Sequence, residues 1–465
     1  MSLYLAIDLG TTGCRSIIFD DKLKEISSSY SEYSLITDEN GIVEQDANLW
    51  WELTLKTSIS AIEKSGVSAK SIDGISISSQ GISVVPIDEN ANPLDNAISW
   101  LDTRAENEAD LLKNDFGEEK IRAITGKPCS SVYTLPKILW LKKNKPEIYQ
   151  KANKFLMPLD FLTAKLTGNF VTDHSMASGT LMYDLENACW CDEILAKYDI
   201  DKEKLQNIAY TGEIAGYVLP EIREMLGLKD NCIVAVGAQD QKCAALGAGL
   251  DNNSITISLG TAAAVTKKWN RLGKSVIENT TWCGYTEPES YVTEGVVATA
   301  GTCLRWLRDT IYNGEKYSVI DSEAKSSIEK GSSIIFVPSM DNGKGVFCGV
   351  SLSSTRGDLA SSVMEGVAFE IRALLEGMNA YEKKQKIILF GGGAKSDLWC
   401  QIISDITKME IAVPSTEEAA GAGAARAAAK AVGRNIDPLS IGRKYKPQRE
   451  YEEKYKRYRE ISVKI

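Results

Sequence analysis

One histidine, His174, is all that the 465-residue chain carries. A lone imidazole is thin support for a Ser-His-Asp triad. It also leaves the close pair Cys189 and Cys191 without the companions or the spacing of a zinc site. The other cysteines are scattered, the pattern of reduced core thiols with none in catalysis. No stretch is apolar enough to span a bilayer. The N-terminus enters the strand-like Leu3-Tyr4-Leu5-Ala6-Ile7 without the basic region and cleavage site of an export signal, so a cytoplasmic location is expected. Positive charge is short as well: with 53 Lys and Arg against 63 Asp and Glu the net charge is −10. That argues against partners gripped through phosphates, nucleic acid and membrane surface alike. A Gly-x-x-x-x-Gly-Lys-Ser/Thr segment is also missing, so a P-loop fold has no support.

What is present is enough apolar material for two cores. The length exceeds what one core normally serves, and the hydrophobic share of 43% is that of a globular protein. The patterning is α/β throughout, with strands expected at Ile72–Ser78, Ser83–Ile87, Ile334–Pro338 and Lys386–Phe390, and a long helix at Asp358–Met378. The opening reads as strand, turn, strand, with the glycine- and threonine-rich tip Asp8-Leu9-Gly10-Thr11-Thr12-Gly13. Past the middle, Ser254–Ser258 leads into Leu259-Gly260-Thr261-Ala262 and a second apolar run, so the same unit recurs. Glycine punctuates an apolar helix at Gly247-Ala248-Gly249, which divides the chain into domains 1–246 and 247–465 with a cleft between them. The Ala/Gly-rich run Ala419–Ala431 is expected to be a tightly packed helix, and Arg443–Arg459 a solvated terminal one.

The tip from Asp8 to Gly13 suits a polyphosphate. Glycine lets backbone N–H groups approach oxygen atoms, threonine hydroxyls donate, and Asp8 can hold Mg²⁺ directly or through water. A plain hairpin turn is the alternative. The second tip, Gly260-Thr261-Ala262, favours the first reading, because two such hairpins from similar domains would hold one nucleotide from both sides. Asp240 ends the strand-like run before Ala244-Ala245-Leu246, and as a residue it fits either a helix N-cap or a general base.

The pattern resembles the FGGY family of carbohydrate kinases, in the superfamily of sugar kinases, heat-shock chaperones and actin, and within it the xylulokinase-like branch. The blocks that carry the resemblance run along essentially the whole chain. They are Asp8–Gly13, Trp100-Leu101-Asp102-Thr103-Arg104, Lys137–Leu141, Gly237–Gln241 and Gly391–Ser396, together with Gly345–Val350 followed by Asp358-Leu359 and Ser362–Glu365. The resemblance implies two ribonuclease-H-like domains, each a mixed sheet flanked by helices, with ATP, Mg²⁺ and a small sugar or polyol in the cleft. It implies Asp240 as the base that deprotonates the attacking hydroxyl. It places Thr11, Thr12, Gly13 and Arg15 near the phosphates, Gly260 and Thr261 opposite them, Gly301 toward the adenosine, and Gly392, Gly393, Ala394 and Ser396 beside the base. Arg305 neighbours nucleotide in some relatives, or is a surface arginine.

For the sugar it implies Gln80, Gly81, Trp100, Asp102, Arg104, Tyr133 and Gln241, an aromatic face meeting C–H groups while charged and amide groups fix hydroxyls. The substrate it favours is a pentulose such as xylulose. The chain departs from its relatives at one telling place. After the glutamine matching Gln80, glycerol kinases carry Arg-Glu and D-xylulose kinases Met-His, whereas here Gly81-Ile82 comes next, leaving room for another sugar or a sugar acid. Closure of the lobes on binding and a homodimeric assembly complete the expectation. The rival from the same superfamily, a nucleotide-switched binding protein, is disfavoured by Asp240 and the Trp100–Arg104 group.

Overall fold

Leu3-Tyr4-Leu5-Ala6-Ile7 and Ser16-Ile17-Ile18-Phe19 are buried along nearly their whole length, as strands covered on both faces must be. In the computed structural model, which describes residues 2–39, 41–273, 280–339, 345–381 and 385–464, they form β1 (Leu3–Leu9) and β2 (Gly13–Asp20). With β3 (Glu25–Glu32), β4 (Ile72–Ser79), β5 (Ile214–Tyr217) and β6 (Ile233–Gln239) they build a sheet in the order β5-β6-β4-β1-β2-β3. The strands β1, β4 and β6 run parallel; β2, β3 and β5 oppose their neighbours.

The second half repeats this plan with β7 (Ser254–Leu259), β8 (Ala263–Trp269), β9 (Thr280–Gly284), β10 (Tyr291–Val297), β11 (Lys386–Phe390), β12 (Ile411–Pro414) and β13 (Ile441–Tyr445). Their order is β9-β10-β8-β7-β11-β12-β13. An antiparallel hairpin β7–β8 has β10 beside β8, and β11 and β12 parallel to β7 on its other side. That is the relation of β3, β2, β1, β4 and β6 in the first sheet. The recurring Leu-Gly-Thr turn is thus the visible trace of a repeated five-stranded unit, the two-domain ribonuclease-H-like, actin-like architecture expected.

Among the helices that frame the two sheets are α1 (Ala47–Ser65), α2 (Asp240–Ala248), α3 (Gly301–Thr310), α4 (Arg356–Gly377) and α5 (Ala419–Ala431). Helix α4 starts with a capping box: Thr355 Oγ1 accepts from the Asp358 amide, and the Asp358 carboxylate accepts from the Thr355 amide at 2.8 Å. The Ala/Gly-rich run is a packed helix, as expected, but its partners lie across the molecule. Although late in the chain, α5 lies on β1, β4 and β6 of the first sheet and crosses α2. A core of Tyr4, Ala6, Ile17 and Phe19 with Ile388, Phe390 and the α5 alanines is shared by both halves.

The solvated terminal helix is corrected. Ile441–Tyr445 is the edge strand β13, and in the helix Glu452–Ser462 the rings of Tyr455 and Tyr458, with Tyr451 just before it, sink into the second core around Phe369. The charged residues between these tyrosines hid an amphipathic face. The cysteine expectation needs one amendment: most thiols are buried, but Cys189 is exposed.

The crossing of α2 and α5 depends on missing side chains. A Cβ on Gly423 would lie 1.8 Å from the Cys243 carbonyl oxygen, and one on Gly247 would lie 2.0 Å from that of Ala419. Both obstacles are backbone, so neither can swing aside. Gly423→Val should therefore lower the thermal midpoint by an amount matching overpacking of at least roughly 1–3 kcal/mol, whereas Gly433→Ala, with nothing near its Cβ position but a left-handed φ of 75°, should be milder. Calorimetric melting of the two variants checks this; equal effects would show that the crossing is loose.

Candidate active site

The strand β6 carries one extra residue against β4. Its pairing slips between Ala235, opposite Ser76, and Ala238, opposite Ser78. The slip requires Gly237, whose Cβ would meet the Ile77 carbonyl oxygen at 1.7 Å. This bulge delivers Asp240 to the first turn of α2, where its Oδ1 accepts from the Gln241 amide at 2.6 Å and from the Gln239 side-chain amide. Asp240 is the first residue of α2 and not its N-cap, which is Gln239, so the capping reading is corrected, while among the described residues no hydrogen bond engages Oδ2. Asp240 lines a cavity of about 680 Å³. Burial, then the nearby Asp8 carboxylate, pushes its pKa up to about 7. Burial likewise raises that of Asp8.

The first hairpin is tied down by its carbonyls. Gly10 O accepts from the Tyr33 hydroxyl, Thr11 O from Gln45 Nε2 at 2.8 Å, and Thr12 O from the Tyr33 amide at 3.0 Å. With its acceptors taken, the tip offers N–H groups and threonine hydroxyls, the donor set a phosphate needs. Thr11 reaches the same cavity as Asp240 and holds the Trp100 indole, whose Nε1 donates to its hydroxyl at 3.0 Å. Arg15, directly opposite Asp8 across β1–β2, pairs with Glu418 at the start of α5.

Of the residues expected around a sugar, Gln80, Gly81, Trp100, Tyr133 and Gln241 line this cavity. Asp102 and Arg104 are not among its walls. They form a buried ion pair at 2.7 Å, with Arg104 also reaching Glu44 at 2.8 Å and lying over the Trp140 ring, and Asp102 accepts from the Val43 amide. They hold the Trp100 loop and do not face the cavity. Nor does Gly81 simply open space, since a Cβ there would come 3.0 Å from Gln239 Cγ. The next residue, Ile82, is held at φ 59°, a strained conformation for a β-branched side chain, and Gly179 makes room for it.

The second hairpin gathers with other expected residues at a separate point. Gly260 O accepts from the Gly301 amide at 3.0 Å, and Thr261 O from the amides of Ala300 and Thr302, both at 3.1 Å. The tip thereby satisfies the otherwise unpaired N–H groups at the start of α3, and Gly301 is needed because a Cβ would lie 2.3 Å from Gly260 O. Gly393 packs on Leu259, whereas Gly392 faces open space. A second cavity, of about 540 Å³, runs from Gly391 and Ala394 to Glu418. Ala394 itself is buried, and Ser396 caps the helix Asp397–Thr407 by accepting from the Trp399 amide at 3.0 Å. Thr261 is not among the walls of the Asp240 cavity.

Sequence reading missed six polar residues on those walls: Lys127, Ser175, Gln239, Lys242, Thr281 and Glu294. Lys242, two residues beyond Asp240, was the one with a positional clue. His174, by contrast, is a satisfied core residue bonded to Tyr183 Oη at 2.6 Å and stacked on Tyr210.

Comparison with known proteins bears on the family and the fold. Residues 3–247 match the family model for the N-terminal domain of the FGGY family of carbohydrate kinases, and residues 256–432 that for its C-terminal domain. A xylulose kinase of Staphylococcus epidermidis is 30% identical over 98% of this chain and 94% of its own. A gluconokinase of Bacillus licheniformis is 27% identical over 95% and 89%. The crystal structure of a ligand-bound xylulose kinase from Lactobacillus acidophilus superposes with a TM-score of 0.92 at 24% identity, covering 100% of this chain and 98% of that one. Among the described residues no helix is long and apolar enough to cross a membrane.

The raised pKa bears on stability. Folded Asp240 binds its proton more tightly than an unfolded aspartate with a pKa of 3.8, so its contribution is fully present below pH 4 and is lost as pH rises through about 7. Asp240→Asn, which cannot ionise, should therefore raise the melting temperature more at pH 8 than at pH 5. An equal rise at both would mean that the carboxylate is solvated like any surface aspartate.

Proposed function

We propose, on the premise that this chain belongs to the FGGY family of carbohydrate kinases, that Asp240 is the general base in transfer of the γ-phosphoryl group of MgATP to a hydroxyl of a small sugar. The family makes the chain a phosphotransferase acting on a sugar hydroxyl, with ATP as donor. One observation carries the assignment within it: Asp240 and Thr11 of the donor-rich hairpin stand on the walls of one cavity. An acceptor hydroxyl against Asp240 gives its proton to the carboxylate as its oxygen bonds to the γ-phosphorus and the bond to the ADP oxygen breaks. The first hairpin holds the phosphates through its amides and threonine hydroxyls, with Arg15 leaving Glu418 for them. Gly260 and Thr261 face them from the second lobe, and the base lies along Gly392.

Mg²⁺ fits beside Asp8. A buried carboxylate whose charge raises the pKa of its neighbour Asp240 is a place where a divalent cation is favourable, and a single carboxylate suits an ion that keeps several waters and phosphate oxygens. When bound, it supplies charge neutralisation at the phosphates. We take residues 1–246 and 247–465 as the two domains, and the cytoplasm, where ATP is supplied, as the setting. A pentulose-sized sugar is the acceptor class that most of the relatives' names support.

ADP release measured over a panel of pentuloses, polyols and aldonic acids tests the reading. At least one compound should stimulate it, and Asp240→Asn should lower that turnover by roughly 10²–10⁴-fold while ATP still binds. In the wild type kcat/KM should rise with pH through an apparent pKa near 7, as the base loses its proton. Near-normal turnover in the variant would assign the base elsewhere.

A further inference from the structure

Thr281 and Cys283 stand two positions apart in β9, so their side chains share one face of the strand. Both line the cavity that holds Asp240, and both meet the same side chain from the other half of the chain. Lys127 Nζ donates to Thr281 Oγ1 at 3.0 Å and to Cys283 Sγ at 2.8 Å. The loop that carries it is fastened to the same strand, because Gly126 O accepts from the Trp282 amide at 3.1 Å. Lysine and cysteine are thereby held in contact at 5% and 2% exposure, across the boundary between the halves.

Other buried sulfurs have different company. Cys14 lies against the hydroxyls of Thr54 and Thr57, Cys243 against the Ala420 carbonyl and Cys400 against that of Ala394. None of those partners is a nitrogen nucleophile. The form of cysteine that attacks a peroxide is the thiolate. At position 283 it faces two ammonium groups, Lys127 in contact and Lys242 nearby. Burial works to lower the Lys242 pKa, and Cys283, ahead of Glu294, raises it. Glu294 is the opposing charge, and it is already paired with Lys242 at 2.8 Å and acted on by Lys127. Asp240, whose pKa burial pushes up to about 7, adds little negative charge below neutrality.

We propose that Lys127 and Cys283 form a redox modification site: hydrogen peroxide entering the cavity joins them by an S–N bond, a sulfenamide cross-link between the two halves. The thiolate sulfur attacks one peroxide oxygen and the O–O bond breaks. The departing hydroxide takes a proton from the Lys127 ammonium and leaves as water. The neutral amine, already in contact, attacks the sulfenic sulfur, whose S–O bond breaks as the oxygen leaves as a second water with a proton from nitrogen. One peroxide thus takes two electrons from the sulfur, and one S–N bond and two waters result. A thiol reverses the step by attacking the sulfur and releasing the amine, and a second thiol then frees Cys283. While it lasts, the bond ties the loop at Gly126 to β9 and holds the acceptor side of the cleft shut. Its effect on turnover rests on the kinase reading above; its formation does not.

The test treats the full-length protein with hydrogen peroxide, unfolds it in N-ethylmaleimide to block free thiols, and maps the peptides by mass spectrometry, with sugar-stimulated ADP release followed in parallel. The segments containing Lys127 and Cys283 should appear joined and two hydrogens lighter than their sum. Turnover should be lost in proportion to the joined fraction, and dithiothreitol should restore both. Cys283→Ala and Lys127→Arg should each give no joined peptide and keep a larger share of their own untreated turnover. Should either variant not fold, the wild-type map still decides. An unmodified Cys283 thiol after treatment, or a sulfinic acid there with Lys127 free, overturns the proposal, and a cross-link that leaves turnover unchanged overturns its hold on the cleft. If no sugar stimulates ADP release, the kinase reading falls and the cross-link is decided by mass alone.

Discussion

The approach of α2 to α5 at backbone distance sets the geometry of everything else. Asp240 opens α2, and Glu418, partner of Arg15, stands at the entry of α5, so the helix crossing fixes where the Asp240 carboxylate stands relative to Arg15. Because the contact is made through Gly247 and Gly423, the two axes come closer than any side chain would allow. The α5 alanines then close over the first sheet without a gap. A helix that belongs to the second half by sequence is thus part of the first half's core, and the halves share apolar contacts that neither can satisfy alone.

Within that frame the site is assembled by removing alternatives. The carbonyls of the first tip are spent on Tyr33 and Gln45, and those of the second on the start of α3, so each hairpin shows its donors. Such preorganised donors need no rearrangement when charge develops nearby, which is where most electrostatic catalysis arises. The bulge at Gly237 does the same for Asp240, aiming a carboxylate from the end of a buried strand at the expense of one ladder position. Burial that raises its pKa makes it a better proton acceptor near neutrality than an exposed aspartate would be.

Much of this was legible in the sequence because it is local. Both hairpins, the packed Ala/Gly helix, and the strand that ends in Asp240 arise from patterns within a dozen residues. The family signature from Gly345 to Glu365 was just as visible, yet the residues it contributes are structural. Asp358 closes a capping box, and Glu365 is buried against Lys454. Conversely, Asp102 and Arg104 were read as sugar ligands because charged residues near an exposed tryptophan suit that role, and sequence has no means of showing that they satisfy each other and Glu44. The terminal tyrosines were masked for a related reason, since their charged neighbours dominate the composition while the rings alone face the core.

Lys127 and Glu294 lie in different halves of the chain, and nothing in the neighbourhood of either residue announces the other. Their meeting is a property of the closed interface, where the loop at Gly126 is bonded to β9. On that side the lobes are joined by buried contacts: Lys127 to Thr281 and Cys283, Lys242 to Glu294, and Gly126 to Trp282. The Arg15–Glu418 pair, part-exposed and therefore worth at most about 1 kcal/mol, only adds a polar contact beside the apolar packing of α5 on the first sheet. The wall of Lys127, Lys242 and Glu294 is therefore built from both halves at once, and neither half alone can place its charged groups.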